Sequence, residues 1–91
     1  MKDELDIGRT VNAVGCEVAR TVEEFGWQEH LSPAQYLAII TEELGEVARE
    51  LNEHSLGNIS AEAMRTRLEE ELLHVAAMAV KMRIVLERKE A

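Results

Sequence analysis

Cysteine and proline each occur once in the 91-residue sequence, and there are only three aromatic residues. One cysteine, Cys16, cannot close an internal disulfide, and no Cys/His cluster suggests a structural zinc. It fits a reducing compartment, so a cytoplasmic location is expected. So few aromatics argue against a β-sandwich. With one proline and five glycines, long stretches are free of helix breakers. No run of 18 apolar residues is present, which excludes a membrane-spanning helix. No apolar leader follows the charged start Met1-Lys2-Asp3-Glu4. Basic residues are also scarce: 10 Lys and Arg stand against 18 Asp and Glu, a formal charge of −8. That balance repels nucleic-acid backbones and anionic membranes, so neither is expected as a partner. An anionic small ligand would need a metal bridge or a local basic patch.

What is present is a helical pattern. The chain is 46% hydrophobic and 31% charged, which suits a folded all-α protein and not a disordered one. Its length allows one domain, residues 1–91. A domain this small buries about 60–65% of its unfolded surface, so its own core is marginal. With disulfide and metal staples absent, oligomerisation is the expected source of further stability.

Three helices are readable. The first covers about Asp3 to Phe25, with Ile7, Val11, Val14, Val18, Val22 and Phe25 recurring at steps of three and four. Gly8 and Gly15 mark weak points or a close approach by another helix, and Gly26 is the expected C-terminal cap. Ser32-Pro33-Ala34-Gln35 combines an N-cap serine, a proline at the first turn and a glutamine three residues on. It starts a second helix, predicted from Pro33 to Asn52, with an apolar stripe of Tyr36, Leu37, Ile40, Leu44, Val47, Ala48 and Leu51. A loop from His54 to Ile59 follows. Ser60 then caps a third helix running from Ala61 to about Glu87, roughly 40 Å long at 1.5 Å per residue. Its second half is apolar almost all round, which calls for burial on most sides. Two shorter helices cover only part of it, so a second subunit is expected, through a two-fold axis.

Two acidic clusters stand out. The second helix carries Glu42, Glu43, Glu46 and Glu50. Glu43 and Glu46 differ by about 60° around the axis, and Glu43 lies about 40° from Val47, at the edge of the apolar stripe. A partly desolvated carboxylate beside another raises the cost of ionising both, and a divalent cation with oxygen ligands removes that cost. On the third helix Glu71 and His74 are neighbours three apart, and the same face continues through Met78 to Lys81. Each feature alone also fits a solvated acidic face, a hydrogen-bonded core histidine or a snorkelling lysine.

Glu42-Glu43-Leu44-Gly45-Glu46, followed 25 residues after Glu46 by Glu71-Leu72-Leu73-His74, resembles the E-E-x-x-E and E-x-x-D signature of the MazG-like all-α nucleoside triphosphate pyrophosphohydrolases. Trp27 and His30-Leu31-Ser32-Pro33 resemble the entry to the same helix in that family, and the likeness covers about residues 20–86. The resemblance implies a bundle of three to four helices per chain completed by a dimer or tetramer. It also implies Mg²⁺ or Mn²⁺ holding a nucleoside triphosphate, and hydrolysis to a monophosphate and pyrophosphate. By position it implies Glu43, Glu46, Glu71 and His74 as metal ligands, with Glu42, Glu43 and Glu46 as the catalytic carboxylates. Glu42 would orient or activate water, Trp27 would pack near the base, and Lys81 would meet a phosphate.

The departure is His74, where the family pattern has Asp. An imidazole binds Mn²⁺, Zn²⁺ or Fe²⁺ but is a poor Mg²⁺ ligand. Two other readings follow from the same residues. Glu71-x-x-His74 with a facing glutamate is the half-site of a di-iron carboxylate bundle, which a symmetric dimer would complete. A helical dimerisation or regulatory module that lost its site is the other.

Overall fold

Punctuation along the chain sets three α-helices: α1 Lys2–Phe25, α2 Pro33–Ser55 and α3 Ala61–Glu90. The computed structural model describes residues 2–90. Among these there is no strand, so the fold is all-α with three helices. Asp3 and Glu4 occupy the first turn of α1, at the positive end of its dipole. Gly26 ends the helix in the left-handed region, φ 72°, and its N–H donates to the Val22 carbonyl. Ser32 and Gln35 form a reciprocal capping box at the start of α2.

The second helix runs three residues past the predicted Asn52, because nothing in Asn52-Glu53-His54 breaks it. Leu56 caps it, and Gly57 follows in the left-handed region, φ 79°. The Gly57 N–H donates to the His54 carbonyl and the Asn58 N–H to the Glu53 carbonyl, a Schellman closure that requires the left-handed residue. The His54 ring Nδ1 lies 3.1 Å from the Ile59 carbonyl and holds the loop. Ser60 caps α3 as expected, its Oγ accepting from the Ala63 N–H. Without a breaker, α3 continues to Glu90, three residues beyond the predicted end.

At 1.5 Å per residue α3 is about 45 Å long, which accounts for the 48 Å long dimension of the molecule. Both α1 and α2 pack on α3, and they do not pack on each other. The result is open: the radius of gyration is 15.2 Å, against about 12 Å for a compact chain of this length. The core lies at the α2–α3 junction, where Tyr36, Met78 and Val85 are buried and Trp27, Leu31, Ile39, Ile40 and Met82 pack against them. The Tyr36 hydroxyl donates to the Trp27 carbonyl, which satisfies the buried phenol. On α1, Val18 and Thr21 are buried.

Much of the predicted apolar pattern stays uncovered within the chain. Ile7, Val11 and Phe25 on α1, Leu37, Leu44 and Leu51 on α2, and Leu72 and Leu86 on α3 are exposed. The α2 leucines repeat every seven residues, a straight seam along one face. Gly8 and Gly15 have nothing within 4 Å of where a Cβ would stand, so the close helix they allow is not one of this chain's own.

Candidate metal centre

Glu43 reaches inward from α2 at the edge of its packed face, as its position beside Val47 dictates. Glu71 and His74 reach toward it from α3, one turn apart. One ligand atom from each of the three lies within 4.8 Å of the others. The His74 Nδ1 is 3.6 Å from a Glu71 oxygen and 3.8 Å from a Glu43 oxygen. All three side chains are half-buried.

Glu71 carries the strain of this arrangement. Its side chain is 17% exposed, and its Oε2 is buried with no hydrogen-bond partner among the described residues. Desolvation holds its pKa above the ordinary carboxylate value, and the charge of Glu46, a side-chain hydrogen bond with Glu46 and the charge of Glu43 push the same way, against a partial offset from His74. A buried oxygen without a donor is costly, and a cation would supply the missing interaction. Two carboxylates and an imidazole, with Glu46 beside them, are a donor set that fits a divalent metal and favours Mn²⁺ over Mg²⁺.

α1 adds residues outside the sequence expectation. The Glu17 carboxylate lies 3.5 Å from His74 Nε2, so the ring stands between Glu17 on one side and Glu43 and Glu71 on the other. A carboxylate on the far nitrogen is the arrangement that orients metal-binding histidines. Arg20 in turn grips Glu17 with two bonds of 2.8 Å and reaches Glu24 at 2.7 Å. Those Arg20 bonds lower the Glu17 pKa, outweighing its desolvation.

A cleft of about 260 Å³ opens beside the cluster, lined by Glu17, Arg20, Phe25, Gln28, Ile39 and Glu43 together with Thr21, His74 and Met78. One end is charged and the rest is apolar. Arg20 lines the cleft with its guanidinium paired to Glu17 and Glu24.

The remaining candidates are placed differently. Glu42 is exposed and lies outside the convergence. Glu46 is half-buried, close enough to raise the Glu71 pKa. Trp27 does not line the cleft. It packs on the Tyr36 core with the Arg88 guanidinium 4.1 Å from its ring centroid. Lys81 is fully buried and not at the surface; its Nζ donates to the Gln28 Oε1 at 2.8 Å. Glu50 pairs with Arg67 at 3.2 Å and ties α2 to α3.

Comparison of the chain with protein-family models, with curated proteins and with solved structures returned no match.

Proposed function

We propose that this protein is a metal-dependent nucleoside triphosphate pyrophosphohydrolase that acts as a cytoplasmic homo-oligomer. What supports the reading is the convergence of Glu43 from α2 with Glu71 and His74 from α3, ligand atoms within 4.8 Å, at the rim of a cleft that holds Arg20. Glu43, Glu71 and His74 would hold the divalent cation, with Glu46 at hand. When bound, the metal supplies positive charge that lets a protein of charge −8 accept a polyphosphate.

The reaction joins the oxygen of a water to the α-phosphorus and breaks the bond to the α–β bridging oxygen. Pyrophosphate leaves with that oxygen and its electron pair, and the water's proton passes to a carboxylate. Following the resemblance, Glu46, half-buried beside Glu71, would be the carboxylate that takes it. Glu17 would keep the His74 ring in position, and Arg20, paired with Glu17 and Glu24, would hold Glu17 in place. The exposed leucines at positions 37, 44 and 51 are the surface on which a second copy would close the bundle.

Pyrophosphate release from deoxy and ribo triphosphates tests the reading. Glu43→Gln and Glu46→Gln are expected to lose turnover while keeping the helical circular dichroism of the parent. Turnover equal to the parent in those variants would overturn the assignment. One observation also favours a di-iron carboxylate protein: the three converging residues are Glu71-x-x-His74 and one facing glutamate. Iron copurifying with near-ultraviolet absorption, and no pyrophosphate release, would establish that alternative.

A further inference from the structure

The back of α3 is bare. Met78, Lys81 and Val85 are buried on one side of the helix. On the opposite side Leu72 is 52% exposed and Val80 39%, and Ala79 is exposed with them. Leu72 and Ala76 also line a groove of about 540 Å³ together with Ala13 and Val14 of α1. The leucine seam of α2 borders the same face. On the α2 wheel Ile39 and Glu43, which line the cleft, fall to one side of buried Tyr36, and Leu37, Leu44 and Leu51 fall to the other. An apolar surface therefore runs over α2 and α3 on the side turned away from the metal cluster.

Surface area indicates how much of it a partner must cover. The chain exposes 6568 Å², against about 5,300 Å² for a folded monomer of this mass. The excess, roughly 1,200 Å², is of the size that one protomer gives up in an obligate dimer, about 1,000 Å² or more.

Charge sets the partner and its register. Arg65, Glu69, Leu72, Ala76, Val80, Arg83 and Glu87 fall within about 80° of one another around α3, in a nearly straight line along its axis. Read along the helix, the line runs basic, acidic, three apolar residues, basic, acidic. Turned end for end about Ala76, it is complementary to itself. In such an antiparallel pair Leu72 meets the partner's Val80, Glu69 meets the partner's Arg83, and Arg65 meets the partner's Glu87. The small Ala76 side chain lies on the axis and lets the helices approach. All four charged residues are exposed, and Arg83 and Glu87 already pair with each other at 3.0 Å. An apolar centre between charged ends is the layout of a protein–protein interface.

We infer that a second copy of this chain seats on the back of α3, antiparallel to it, with the two-fold axis beside Ala76. The inference rests on the homo-oligomer part of the proposed function and is independent of the metal and nucleotide chemistry.

Sedimentation equilibrium and cross-linking test it. The wild type is expected to be a dimer, and Leu72→Glu, a change at an exposed position, a monomer with the parent's circular dichroism. Arg83→Glu sets like charges against each other twice, once on each side of the axis. It is expected to raise the dissociation constant about tenfold. Adding Glu69→Arg to that variant restores opposite charges and is expected to return the constant toward the parent's value. In a Cys16→Ser background, Ala76→Cys is expected to cross-link with a short bismaleimide. Thr66→Cys, about 30 Å from its own copy across the axis, is expected not to. A monomeric wild type, which would leave the face to a different protein, would overturn the inference. An oligomer whose mass is unchanged by Leu72→Glu and which fails to cross-link at 76 would keep the homo-oligomer and overturn this interface. A dimer with these contacts and no pyrophosphate release would leave the inference standing and remove the hydrolase.

Discussion

Glu71→Gln and added Mn²⁺ both relieve the same buried carboxylate, and a single melting series separates their effects. The Glu71 pKa is raised above its ordinary value of 4.5, first by desolvation and then by Glu46. A carboxyl whose folded pKa is raised contributes stability that is fully present below pH 4.5 and lost as pH rises through the folded value. At neutral pH, with chelator present, the Glu71 carboxyl therefore works against the fold. Glutamine keeps the shape and removes the charge. Glu71→Gln is expected to melt higher than wild type at pH 7 in EDTA, and the gain is expected to vanish below pH 4.5. Mn²⁺ acts differently. At a hundred times its dissociation constant, a ligand bound only by the native state stabilises it by about 2.7 kcal/mol. For a domain of this size each kcal/mol raises the melting temperature by about 4–8 °C, so the shift is about 10–20 °C. The variant lacks the orphaned Oε2 that the cation would satisfy, and its Mn²⁺ shift is expected to fall to a small fraction of that. Differential scanning fluorimetry reads all four conditions. An equal Mn²⁺ shift in both proteins would exclude Glu71 as a ligand, and a variant less stable in EDTA would exclude a destabilising carboxylate at this position.

Other outcomes follow from the same structure. Lys81→Met removes a fully buried cation. Because the folded Lys81 pKa is lowered from 10.5, its stability term is fully present above pH 10.5 and lost as pH falls through the folded value. The variant is therefore expected to be more stable than wild type at pH 7, with the difference closing near pH 10.5 in urea melts. Ser32→Ala breaks the capping box and is expected to cost about 1 kcal/mol in the same melts. Leu44→Glu places a charge in the exposed α2 seam. It is expected to shift the protein from oligomer to monomer by light scattering, whereas an unchanged mass would exclude that face as the interface.

Much of the fold was legible because its signals are local. Ser32, Pro33 and Gln35 set the start of α2 with atoms from four consecutive residues, and Gly26 and Gly57 end helices by their own backbone preference. Glu43 was legible as an edge position on its helical wheel, and Glu71 and His74 as neighbours three apart on one face of α3. The rest depends on how helices cross. Nothing in the α1 stripe says that Ile7 and Val11 stay exposed while Val18 is buried, because that follows from α1 meeting only part of α3. Nor does spacing tell a snorkelling lysine from a buried one. Lys81 is buried because the loop after Gly26 turns back over α3 and brings Gln28 to it. Glu17 and Arg20 were passed over for a related reason. They lie on a helix without an acidic motif, and gain meaning only when α1 brings them to His74.

On the proposed function, the Glu43–Glu71–His74 centre serves phosphoryl chemistry on nucleotides. The most direct measurement is the product released from a panel of nucleoside triphosphates incubated with wild-type protein in Mg²⁺ and in Mn²⁺, together with the His74→Asp variant. The expected products are pyrophosphate and monophosphate, with faster turnover in Mn²⁺ for the wild type and a rise in Mg²⁺-dependent turnover when aspartate replaces the imidazole. Release of inorganic phosphate in place of pyrophosphate, or no release by folded protein with either metal, would contradict it.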